Sequence, residues 1–143
     1  MQTMKNLMKR RLFLSLFFVP TASFAHSYKQ GAIAIGHAWA LVSSGTETVA
    51  MMPLYNTADT QDSLIGVSCD AATSVELRDV EITVAEFVLL PRKPFPMRAT
   101  AKHLQLIGLK RPLVKGDRVS MTLKFRNAGE ITLELHINET AGE

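Results

Sequence analysis

The sequence predicts an all-β domain of the sandwich or Greek-key barrel class. Three observations carry that expectation. Val119, Met121, Leu123 and Phe125 alternate with polar residues, as do Ile131, Leu133, Leu135 and Ile137 after an Asn127-Ala128-Gly129 turn, which reads as an antiparallel hairpin with one wet face. Short apolar runs divided by Gly, Pro, Asn and Ser clusters fill the preceding residues. No stretch sustains a 3.6-residue apolar period, so neither a helical crossover nor a parallel sheet is expected.

In chain order, residues 1–25 read as a secretory signal peptide. Lys5, Lys9, Arg10 and Arg11 make a positive start without acids, Leu12 to Val19 is an apolar run, and Ser23 and Ala25 are small residues placed for cleavage. A bilayer-spanning helix needs about 20 residues, and this run is far shorter. The exported chain is then residues 26–143, one domain beginning at His26, with no membrane association expected after cleavage. The formal net charge of +3 belongs to the leader, because the exported part holds 12 Lys+Arg against 13 Asp+Glu. Without a basic stripe carrying aromatics, nucleic acid is not an expected partner.

Strands are expected at Ala32 to Trp39, Val49 to Tyr55, Leu64 to Cys69, Val75 to Leu77, Val80 to Leu90 and His103 to Leu109, ahead of the terminal hairpin. Ser43-Ser44-Gly45, Asn56 to Asp59 and the Pro91 to Pro96 segment divide them, and Lys115-Gly116-Asp117 turns the chain into the hairpin. The single cysteine, Cys69, excludes a disulfide framework and any multi-cysteine metal site. A phosphate-cradling glycine loop, a Gly-x-Ser-x-Gly elbow and a His-Glu-x-x-His pair are all missing, and no enzyme is expected.

The most informative stretch is His103-Leu104-Gln105-Leu106. In an extended strand His103 and Gln105 share one face and the leucines the other. A histidine and a soft thioether at that spacing would suit Cu(I), whereas the amide oxygen of Gln105 is a hard ligand. Elsewhere the ordinary roles prevail: Cys69 as an inert buried thiol, His37 as packing and His136 on the solvated face. Of the consecutive Met51 and Met52, a strand sends one to each face, so one is expected in the core.

The chain resembles the periplasmic copper chaperones of the PCu(A)C type. The likeness rests on His26 to Gly31, Ile35-Gly36-His37-Ala38-Trp39-Ala40, Leu54-Tyr55-Asn56-Thr57, Asp62 to Val67, Val75-Glu76-Leu77, and His103 to Leu113 followed by Gly116-Asp117. It implies a cupredoxin-like Greek-key β-fold, copper as cargo, Cu(I) rather than Cu(II), and a copper-accepting partner such as an oxidase assembly factor or subunit. It also implies export to the periplasm. The ligand positions depart from the family pattern. Arg78 stands where the family has its first histidine, the methionine-bearing hairpin is shortened, and Gln105 replaces the final methionine, leaving His103 as the retained ligand. Met97, His26 at the new terminus and Cys69 are the other candidate donors. The competing expectation is a module of the same fold without metal, recognising a protein or a small anion through Arg78 and Gln105.

Overall fold

The computed structural model describes residues 27–139. The expected signal peptide and His26 lie outside those residues. The elements are β1 (Tyr28–Gln30), β2 (Ile33–Ile35), β3 (Trp39–Leu41), β4 (Glu47–Met51), β5 (Leu54–Asn56), β6 (Asp62–Cys69) and β7 (Ala72–Asp79). They continue with β8 (Ile82–Val84), β9 (Phe87–Leu89), β10 (Pro94–Phe95), β11 (Lys102–Leu109), β12 (Arg118–Phe125) and β13 (Gly129–Asn138). Among the described residues there is no helix.

The larger sheet has nine strands in the order β8-β7-β11-β4-β3-β13-β12-β6-β9, and a four-stranded sheet β1-β2-β5-β10 accompanies it. All pairings are antiparallel except β13 with β3. The two edge strands of the large sheet, β8 and β9, are joined only by Ala85 and Glu86. Three Cα steps span at most about 11 Å, so the sheet must curl until its edges nearly meet. The result is the nearly closed all-β barrel or sandwich expected from the sequence.

The terminal hairpin follows its alternation. Val119, Met121, Leu123 and Phe125 are buried, and so are Leu133, Leu135 and Ile137. Two expected strands are instead each broken in two. The run Ala32 to Trp39 becomes β2 and β3, and Val49 to Tyr55 becomes β4 and β5, because at both places the chain leaves one sheet for the other. The crossings brace each other, with the Gly36 N–H donating to the Pro53 carbonyl at 2.9 Å. A Cβ on Gly36 would lie 2.5 Å from the Pro53 ring, so only glycine allows this approach. The expected strand Val80 to Leu90 is also interrupted, first by the turn Val80-Glu81 that joins β7 to β8. Val80 has φ 59°, an uncommon conformation for a β-branched residue, and its N–H donates to the Ala101 carbonyl at 2.9 Å.

Candidate metal centre

Strand β11 lies between β7 and β4. Its even-numbered residues, Leu104 and Leu106, are fully buried in the barrel core together with Leu77 of β7 and Ala50 of β4. Its odd-numbered residues face outward, as the sequence predicted for His103 and Gln105. They are nevertheless buried, His103 to 3% exposure and Gln105 to 9%. Burying such groups is tolerated only when their hydrogen-bonding atoms find partners.

Those partners run from the β7–β8 turn through β11 to β4. The His103 Nδ1 lies 2.9 Å from the Ala101 carbonyl, which can only accept, so Nδ1 carries the ring proton. The same carbonyl takes the Val80 N–H, and the turn between β7 and β8 thereby fixes the imidazole orientation. His103 Nε2 lies 3.2 Å from Gln105 Oε1, and Gln105 Nε2 donates to Glu47 Oε2 at 3.3 Å. A ring nitrogen pinned to a backbone carbonyl is the usual arrangement of a metal-binding histidine, although here the other nitrogen faces Gln105.

Beside this chain, Arg78 pairs with His103 in the β7–β11 register, and Glu76 pairs with Gln105. Arg78 Nε and Nη2 both donate to Glu76 Oε2, at 3.1 and 3.0 Å, and the Thr83 hydroxyl donates to the same oxygen at 2.9 Å. The Thr83 hydroxyl and then the Arg78 guanidinium hold the Glu76 carboxyl below its ordinary range. Glu76 is thus ionised at neutral pH and compensates the Arg78 charge next to His103.

The other sequence candidates are dispersed. Met97 is buried in the core cluster and stands just before a turn in which the Arg98 N–H donates to the Lys102 carbonyl. Cys69 ends β6 opposite Met121 in the core, and burial pushes its thiol above the ordinary value. It faces inward and precedes Ala72, which pairs with Leu109 at the far end of β11 from His103, so the structure does not bring it to His103. His136, expected on the solvated face, is half-buried with its ring 5.2 Å from that of His37. Both Met51 and Met52 are buried, where one was expected to be. Among the described residues no group of three or more His, Cys, Asp or Glu side chains could hold a metal ion.

Glu47, Thr83 and the Ala101 carbonyl were not singled out from the sequence. Glu47 lies far from His103 along the chain, and only the register between β4 and β11 brings it to Gln105.

The fold is that of a PCuAC-like domain, the copper-chaperone fold. The copper-bound PCuAC domain from PmoF2 superposes with a TM-score of 0.75 at 28% identity, covering 80% of this chain and 99% of that one. The Cu(I) form of DR1885 from Deinococcus radiodurans, at 23% identity, shares the fold with a TM-score of 0.64 over 81% of this chain and 83% of that one. The family model "LpqE-like", described as "Putative lipoprotein LpqE-like", matches residues 33–137, and the chain belongs to that family. A curated relative, "Putative lipoprotein Lxx21020" of Leifsonia xyli subsp. xyli (strain CTCB07), is 23% identical over 87% of this chain and 80% of its own length. Cys69 is buried in the barrel, so its thiol is not a point at which a lipid could be attached.

Proposed function

We propose that this chain is an exported, non-catalytic copper protein that binds Cu(I) at His103 and hands it to an acceptor protein. The observation that carries the reading is the fixed imidazole of His103. Its Nδ1 is held by the Ala101 carbonyl and its Nε2 faces Gln105 Oε1, on a fold shared with a copper-bound PCuAC domain. The second donor in this reading is a methionine thioether from neighbouring chain, for which Met97 is the sequence candidate. Arg78 and Gln105 stand where the family pattern has copper ligands, and both act here through hydrogen bonds. The pairing of Arg78 with Glu76 removes the repulsion that a lone guanidinium would exert on a cation.

Residues 1–25 serve in this reading as the signal peptide, and the exported domain runs from His26. The lipoprotein description of the family accords with export. The acceptor is a copper-requiring protein of the same compartment, such as an oxidase subunit or assembly factor. The competing reading, an anion or protein site built on Arg78 and Gln105, has less to stand on. Two of the Arg78 donors are engaged by Glu76, and the Gln105 amide lies between His103 and Glu47.

The test is competition for Cu(I) between the purified chain and a chelator under reducing conditions. One equivalent withdrawn by the wild type, and none by His103→Ala, is the expected result. No withdrawal by the wild type would remove the copper reading. Equal withdrawal by His103→Ala would move the site to other residues, His26 first.

A further inference from the structure

The outer face around His103 contains a sulfur donor that sequence spacing could not assign. Strands β11 and β4 pair in unbroken register from Ile107↔Glu47 to Leu104↔Ala50, and the next step sets Met51 opposite His103. Alternation along β4 fixes its direction. Thr48 and Ala50 are buried inward, whereas Glu47, whose carboxylate receives the Gln105 amide, is outward, so Met51 is outward with Glu47. Met51 next pairs with Trp39 of β3. One row across the sheet therefore reads Arg78, His103, Met51, Trp39. Residues directly opposite in such pairs have Cβ atoms about 4.5–5.5 Å apart, within reach of a shared ion.

A second observation marks the same spot as a place for a cation. With the proton on Nδ1, the Nε2 of His103 presents a lone pair to Gln105 Oε1 at 3.2 Å, two acceptors face to face. Turning the amide over would satisfy His103 but would set Oε1 against the Glu47 carboxylate, which now receives Nε2 at 3.3 Å. With a single ring proton, either orientation of the amide leaves one conflict. A cation at Nε2, whether a second proton or a metal ion, resolves it, and His103 and Met51 are only 3% and 2% exposed.

We propose that Cu(I) is held between His103 Nε2 and the Met51 thioether, across the β11–β4 pair, with the Trp39 ring beside it on β3. Imidazole and thioether are neutral donors suited to Cu(I), and the face of an indole attracts a desolvated cation. Gln105 Oε1 then borders the ion instead of opposing a lone pair. This assignment rests on the reading that the chain binds Cu(I), and it replaces Met97 as the sulfur donor with Met51.

The sequence holds one tryptophan, Trp39, so intrinsic tryptophan emission reports on this row alone. The experiment titrates the purified chain with Cu(I) supplied from a competing chelator, reading both competition and Trp39 emission, in the wild type, Met51→Leu and Met97→Leu. Expected are quenching that saturates at one equivalent, affinity reduced about tenfold or more in Met51→Leu, and unchanged affinity in Met97→Leu. Cu(I) bound with unaltered emission, or bound equally by Met51→Leu, overturns the Met51 assignment while leaving the copper reading in place. Absence of Cu(I) binding by the wild type overturns both. Should Met51→Leu fail to fold, methionine methyl spectra of the wild type decide. A displaced Met51 signal on adding Cu(I) supports the assignment, and a displaced Met97 signal with Met51 unmoved overturns it.

Discussion

The two faces of the β7–β11–β4 segment are buried to similar depth and built on opposite chemistry. On the inner face Leu77, Leu104, Leu106 and Ala50 need only volume and dryness. On the outer face His103 and Gln105 are nearly as deeply buried, yet their positions are held by the Ala101 carbonyl and by Glu47, beside the Arg78–Glu76 pair. Apolar residues would fill the outer positions at lower desolvation cost, since buried polar groups stabilise little even when paired. The inner face accounts for the fold, and the outer face reflects a function. In the reading proposed here that function is to hold Cu(I).

The comparison is broken most severely from the inner side. Leu104→Ala, at a fully buried site, should lower stability by about 2–5 kcal/mol in chemical denaturation. Cu(I) affinity should hold for as long as the variant remains folded. On the outer side His103→Ala should cost less, because the Ala101 carbonyl keeps the Val80 N–H and the Gln105 amide keeps Glu47, and it should remove Cu(I) binding altogether. A variant that kept its stability and lost copper, or the reverse, would separate the two faces still more cleanly.

A smaller effect concerns Cys69, whose thiol burial pushes above its ordinary value of 9.0. The native protein keeps this thiol protonated where the unfolded chain would ionise. The resulting contribution to stability is complete below about pH 9 and declines only at more alkaline pH. Thiol-reactive reagents at neutral pH should label Cys69 slowly in the native protein and rapidly in denaturant. Fast native labelling would place Cys69 outside the core.

The smallest expected effect lies at the edge of the outer face. The Glu76 carboxyl is held below its ordinary value of 4.5, first by the Thr83 hydroxyl and then by Arg78. Its contribution to stability is therefore present above that value and lost as pH falls through the lower, folded one. Thr83→Val should flatten this acid dependence, as measured by denaturation midpoints between about pH 3 and pH 7. An unchanged acid limb would mean that Thr83 does not hold Glu76.

Sequence patterning identified what depends on neighbours along the chain. The β12–β13 hairpin followed from alternation around Gly129, and the shared face of His103 and Gln105 followed from strand geometry. It missed what depends on the change of sheet. No cluster of turn residues marks Gly36 to Ala38 or Met52-Pro53, where the backbone moves from one sheet to the other. It also missed every partner supplied by register. Glu47 and Met51 reach the outer row only because β4 lies beside β11, and the Ala101 carbonyl is an unremarkable backbone group until the Val80 turn fixes it. The positions at which the family ligands are replaced, Arg78 and Gln105, were visible from the sequence. What now satisfies those two side chains was not.

The most direct test of the central claim is a long-range proton–nitrogen spectrum of the imidazole rings, recorded before and after one equivalent of Cu(I). The account predicts that the His103 Nε2 resonance moves by far the most, while Nδ1 keeps its proton and its bond to the Ala101 carbonyl. Resonances of His103 left in place, with the change confined to His37, His136 or His26, would contradict it.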